Sequence, residues 1–157
     1  MTLRLAAGLA RNDGKDWCWK GNNEQEVKIA VDTNVLVRAA VGDDVEQSDA
    51  ATKLMARAKM VAIAVPSLCE FVWVLRSVYR FQSSDIAKAI RTLLAAENVE
   101  TNRPAIDAGL AVLNAGGDFA DGVIAYEGRW LGAETFVSFD RKAVEMLAGL
   151  GESARLL

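Results

Sequence analysis

Residues 28–40, KIAVDTNVLVRAA, change period partway along, and that change decides how the rest of the chain is read. Lys28–Asp32 is a short run of strand-forming character, and Thr33–Ala40 continues at helical spacing. A strand that passes directly into a helix is the first half of a β-α-β unit. Asp32, at the junction, therefore stands at the carboxyl end of a strand, where open α/β sheets gather their reactive groups.

The same alternation recurs outward from that junction. Ala50, Ala51, Leu54, Met55 and Ala58 fall at helical spacing and predict a helix over 46–60. Val61–Val65 (VAIAV) reads as a buried strand stopped by Pro66. Helices are predicted over 67–80 and 84–96, the second with Ile86, Ile90, Leu93 and Leu94 on one face. A short strand at 99–101 precedes a helix over 104–113 with proline near its first turn. A helix over 118–131, a strand over 134–139 and a final helix over 141–150 follow, closed by Gly151 and a short apolar tail. Strands separated by helices predict an α/β domain with a mainly parallel central sheet flanked by helices.

Residues 11–26 (RNDGKDWCWKGNNEQE) have no sustained period and are polar and Gly/Asn-rich. Residues 1–26 are therefore expected to be a poorly structured N-terminal extension, upstream of the domain or from a misassigned start, with the domain at 27–157.

Composition narrows the chemistry. The chain has 157 residues and no histidine. That absence rules out Ser-His-Asp triads, Cys-His nucleophiles, histidine acid–base pairs and His-ligated zinc. Two cysteines, Cys18 and Cys69, are too few for a Cys-rich metal site or a disulfide framework. Carboxylates remain as the reactive groups, and carboxylates usually work through a hard metal ion. Net charge is −3, which does not advertise nucleic-acid binding. No apolar run approaches the roughly 20 residues needed to cross a bilayer, and the N-terminal apolar patch is too short for a signal sequence. A soluble cytoplasmic protein is the expectation.

Four acids occupy strand ends or helix starts. Asp32 and Asp140 follow strands, and either could simply form a turn or cap the next helix. Ser67 and Glu70 have capping-box spacing, as do Asp118 and Asp121. Convergence of four carboxylates on one sheet edge would be repulsive unless a cation neutralised them. An all-oxygen site of this kind suits Mg²⁺, or Mn²⁺ in its place.

Four segments carry a family resemblance: VDTNVLVR (31–38), PSLCEFVWVLR (66–76), GGDFADGVIA (116–125) and SFDRKA (138–143). In this order and at these intervals they resemble a PIN domain, and in particular the VapC-type toxins of bacterial toxin–antitoxin modules. The resemblance covers Val27 to Leu157. It implies a PIN-like fold and a metal-dependent ribonuclease with Asp32, Glu70, Asp121 and Asp140 as catalytic and metal-binding acids. Asn34 and Ser138 match polar positions that support such a site. It further implies an RNA substrate such as tRNA or rRNA, a cognate antitoxin and a homodimer. Gly122 stands where the family usually has Ala, and Glu127-Gly128 interrupts a normally Ala/Leu-rich helix. Both departures are expected to loosen that helix.

Other residues read more plainly. Arg38, Arg76, Arg80, Arg141 and Lys142 are candidate phosphate contacts, although most surface charges are only solvated. Within 27–157, setting aside the four acids and Asp118 leaves 12 acids against 14 bases, compatible with RNA at a metal-neutralised site. Phe71, Trp73, Val74, Leu75 and Val78 read as core or dimer packing, and Asp43-Asp44 as an exposed loop. Two other functions compete. A phospho-accepting receiver domain needs an acidic pair after the first strand, an acid after a central strand and a late Lys-Pro, and none is present. A PIN scaffold that binds RNA or an antitoxin without cutting is the remaining alternative, kept open by Gly122 and Glu127.

Overall fold

The computed structural model describes residues 27–157, so the expected extension over 1–26, with Cys18, lies outside the described residues. The chain enters at β1 (Lys28–Val31), whose Ile29 lies opposite Val61 of β2 (Met60–Ile63); Val61 lies opposite Val99 of β3 (Val99–Glu100). All three strands are parallel, in the order β1-β2-β3. Parallel neighbours require crossovers, and the intervening helices supply them. These are α1 (Thr33–Val41) and α2 (Val45–Arg57) between β1 and β2, then α3 (Val65–Ser77) and α4 (Ser83–Leu94) between β2 and β3. After them come α5 (Arg103–Asn114), α6 (Phe119–Trp130), β4 (Phe136–Ser138), α7 (Arg141–Gly149) and β5 (Ala154–Leu156).

Val31, Val61, Ile63 and Val99 are buried in the sheet, packed with Leu36, Met55, Leu68, Phe71, Leu75, Ile86, Ile90 and Leu93 from α1 to α4. Full burial of each large side chain contributes roughly 1.5–3 kcal/mol, which is why the helical periods reproduce so well. A second, smaller cluster joins Val112, Ala125 and Leu147, with Phe136, Met146 and Ala154 packed against it.

The α/β class and parallel strands are as expected, with four differences. The sheet is divided: β4 and β5 form a separate parallel pair, with Phe136 opposite Ala154. The apolar tail is itself the strand β5, hidden in the sequence by its short length and by Arg155 within it. The second strand ends at Ile63 and α3 begins at Val65, ahead of Pro66. Proline lacks only an N–H that no first-turn residue can use, so a helix can start across it. Ser67 is therefore inside α3 and caps nothing, and the proposed Ser67/Glu70 capping box does not form.

Of the residues expected in core or dimer packing, Phe71 and Leu75 are buried in the core, whereas Trp73 and Val78 are 60% and 61% exposed and lie outside it. The Asp43-Asp44 segment is more than a loop. Asp44 caps α2 by accepting from the Gln47 N–H at 3.0 Å. Asp43 accepts from Arg38 at 2.6 Å and from the Tyr79 hydroxyl at 2.7 Å, tying the end of α1 to the end of α3.

Gly122 does not loosen its helix. A Cβ there would lie 2.4 Å from the Ala108 carbonyl oxygen and 2.8 Å from Val112. One helix earlier, a Cβ on Gly109 would lie 2.7 Å from the Phe119 ring. Gly109 and Gly122 thus let α5 and α6 approach backbone to side chain, and the residue that weakens α6 in isolation seats it in the fold.

Candidate active site

Each candidate acid is placed by local chemistry that its neighbours dictate. Asp32 ends β1 and caps α1, its Oδ1 accepting from the Val35 N–H at 3.0 Å. Asp118 caps α6 through Oδ1 and the Ala120 N–H at 2.9 Å. Asp140 caps α7, its Oδ1 accepting from Lys142 at 2.8 Å and Ala143 at 3.2 Å. All three caps employ Oδ1, so these capping bonds leave Oδ2 of each residue for another partner.

Glu70 is held differently. With α3 starting at Val65, Glu70 falls in the second turn, where capping makes no claim on its carboxylate. Instead it accepts from the Thr33 hydroxyl, with Oγ1 at 2.6 Å from Oε2. Thr33 is buried at the first position of α1, beside Asp32, so the end of β1 and the start of α3 meet at this bond. The Thr33 hydroxyl also lies 3.4 Å from the Ser67 carbonyl oxygen.

Asp121 lies in the first turn of α6 and is half-buried. Burial raises its carboxyl pKa, and the negative charges of Asp118 and Asp140 raise it further. Such a site concentrates negative charge where a cation would be stabilised. The thiol of Cys69 on α3 is likewise raised by burial, then by the charges of Glu127 and Asp118.

Thr33 thus ties Glu70 to the end of β1 that carries Asp32, and the charges of Asp118 and Asp140 act on Asp121. Among the described residues, no group of three or more His, Cys, Asp or Glu stands close enough to hold an ion. The donor set still suits a hard divalent cation: it offers carboxylate oxygens only, and the capping bonds of Asp32 and Asp140 use Oδ1 and leave Oδ2. Asp32, Glu70, Asp121 and Asp140 are the residues that would hold it.

Of the supporting residues, the Ser138 hydroxyl accepts from the Asp140 N–H at 3.0 Å and so fixes the loop that carries that acid. Asn34 is exposed on the first turn of α1. Arg38 is committed to Asp43, which together with the hydrogen bond raises its pKa, so it is not a free phosphate ligand. Sequence reasoning missed Thr33. Its signal was a hydroxyl next to the strand-end acid, at a position that the helical period buries.

No helix among the described residues is long and apolar enough to cross a membrane. Compared with known families, residues 29–146 match one model, described as the PIN domain. The match spans all four candidate acids. Among curated proteins, none matches the sequence.

Proposed function

The chain belongs to the PIN domain family, whose members are generally metal-dependent nucleases, and from that premise we propose that it is a Mg²⁺-dependent endoribonuclease acting as the toxin of a type II toxin–antitoxin module. The observation that carries the reading is Asp121, half-buried and pressed by Asp118 and Asp140 within the matched segment. A bound divalent ion supplies positive charge at the scissile phosphodiester and makes water a better nucleophile near neutral pH. Asp32, Glu70, Asp121 and Asp140 would hold that ion, while Thr33 orients Glu70 and Ser138 steadies Asp140. With no histidine in the chain, a histidine general base for attack by the ribose 2′-hydroxyl is ruled out. Attack on phosphorus by a metal-activated water, which needs no 2′-hydroxyl, would leave 5′-phosphate and 3′-hydroxyl ends. A cognate antitoxin that covers the site, and a homodimer, complete the proposal.

The absence, among the described residues, of three or more acids close enough to hold an ion favours one rival, a PIN scaffold that binds RNA or an antitoxin without cutting. The experiment that decides is incubation of the purified, antitoxin-free protein with total RNA, with and without Mg²⁺, followed by mapping of the ends. Cleavage that needs Mg²⁺ and leaves 5′-phosphates supports the nuclease. RNA bound but uncut at saturating Mg²⁺ establishes the scaffold, and cleavage undiminished in excess EDTA refutes the metal chemistry.

A further inference from the structure

Glu70 and Asp121 lie on different helices, α3 and α6, and one side chain spans from the first to the turn that starts the second. Arg76, on α3 with Glu70, donates from Nη1 to the carbonyl oxygen of Gly117 at 3.2 Å, across a sequence separation of 41. Gly117 is the residue immediately before Asp118, the cap of the helix that carries Asp121.

The turn that Arg76 grips is built with little freedom. Helix α5 ends with Gly116 at φ 91°, a left-handed conformation that suits glycine. Gly116 N–H donates to the Leu113 carbonyl at 3.1 Å and Gly117 N–H to the Val112 carbonyl at 2.9 Å, a Schellman closure. A Cβ on Gly117 would lie 2.6 Å from Val112 and 3.1 Å from Met146. Gly117 is thus fixed through its N–H by α5 and through its carbonyl by α3. That carbonyl belongs to the planar peptide whose nitrogen is the Asp118 amide, so gripping one orients the other.

We infer that Arg76 is a positioning residue for the metal site: it sets the distance between Glu70 on α3 and the Asp118–Asp121 turn of α6. Among the described residues no three acids stand close enough to hold an ion, so the relative placement of these two helices governs how well one ion can be shared between them. The inference rests on the nuclease reading for its metal, and its test separates the two.

The test compares wild type with Arg76→Met, which keeps most of the aliphatic stem and loses the donors, and with Arg76→Lys, which keeps a donor. Mn²⁺ binding is measured on RNA-free protein by calorimetry, alongside cleavage rates across an Mg²⁺ titration. For Arg76→Met the Mn²⁺ dissociation constant is expected to rise about tenfold, since outer-shell partners typically carry 10–100-fold in metal affinity. The Mg²⁺ concentration for half-maximal cleavage should rise in parallel, saturating Mg²⁺ should restore kcat to within about threefold, and KM for RNA should stay unchanged. Arg76→Lys should recover most of the loss. A purely structural role would lower the active fraction equally at every metal concentration and leave both half-saturation points in place, which overturns the inference. If Arg76→Met does not fold, Arg76→Gln, too short to reach the carbonyl, takes its place with the same expectation. Wild-type protein that neither binds Mn²⁺ nor cuts RNA overturns the nuclease reading and this inference together. Normal wild-type binding with an unchanged variant overturns this inference alone.

Discussion

The hydroxyl of Thr33 and the carboxylate of Glu70 meet at 2.6 Å, although 37 residues separate them in the chain. The bond joins the helix that follows the first strand to the helix that follows the second. Glu70 makes no cap, so Thr33 is what fixes the direction of its charge.

Thr33→Val keeps the shape and suits the buried position, while removing the hydroxyl that donates to Glu70. Losing a hydrogen bond to a charged group costs about 1.5–3 kcal/mol when the acceptor is stranded, less where water can replace the donor, as at this part-buried site. The melting temperature is expected to fall by a few degrees or less and cleavage by tenfold or more. Matched melting curves and single-turnover rates check this; unchanged cleavage would show that Glu70 needs no orienting.

Asp121 and Asp118 should separate cleanly. Burial, then Asp118 and Asp140, raise the Asp121 pKa in the fold. The folded protein then holds that proton more tightly than the unfolded chain, so stability is lost as pH climbs from the ordinary carboxylate range through the folded pKa. Asp121→Asn removes that loss. Without divalent ions it should melt above wild type at pH 7, and the gap should close by about pH 3, where the wild-type carboxyl is protonated in both states. Its cleavage should fall on the order of 100-fold or more, the usual cost of one lost charge-stabilising group. Asp118→Asn keeps the cap and most activity, whereas Asp118→Ala should cost roughly 0.5–2 kcal/mol of stability. Full activity in Asp121→Asn with a folded, inactive Asp118→Asn would exchange the two roles.

Two glycines of α6 should respond oppositely to alanine. Gly122→Ala drives a methyl to 2.4 Å from the Ala108 carbonyl, and overpacking of this kind typically costs about 1–3 kcal/mol, more than the helix propensity it gains. Gly128→Ala meets nothing nearer than 3.9 Å and should stabilise by up to about 1 kcal/mol. Thermal unfolding of both variants decides, and a stabilised Gly122→Ala would mean that α5 and α6 are less tightly seated than described.

The clamp between α1 and α3 should be sensitive to acid. Hydrogen bonds from Tyr79 and then from Arg38 lower the Asp43 pKa. A depressed carboxyl pKa contributes stability above the unfolded value and loses it as pH falls through the folded one. Asp43→Asn and Tyr79→Phe should both melt below wild type at pH 7, and the Asp43→Asn difference should vanish in strong acid. A difference independent of pH would remove the charge of Asp43 from the explanation.

What the sequence made legible was local. Asp118 before a helical run reads as a cap because the atoms that satisfy it are two residues away, and so it is. The helical faces read well because burial enforces their period, as at Ile86, Ile90 and Leu93. Contacts between distant segments left no comparable trace. The need for glycine at 122 is set by the carbonyl of Ala108 on another helix, so the sequence alone suggested weakness where the fold requires closeness. Pro66 looked like a stop because helix and strand both avoid interior proline, yet as the second residue of α3 it is tolerated. Strand β5 is only three residues long and carries an arginine, too little pattern to register against its background. The four acids were legible as types at their positions, while the partner that orients Glu70 and the arginine that braces Asp118 were visible only in three dimensions.

The division into two hydrophobic clusters has a consequence for how the molecule opens. Helix α7 and the β4–β5 pair rest on the smaller cluster of Val112, Ala125 and Leu147, not on the main core. Less buried apolar surface means a lower free energy of local opening, so this segment is expected to open as a unit of its own. Asp140 rides on it as the cap of α7, while Asp32 and Glu70 are anchored to the main core. Amide exchange should therefore run faster in α7 and β5 than in α1 or α3. Each such opening withdraws one acid and leaves the others standing, so the complete set of four exists only while the C-terminal unit is closed.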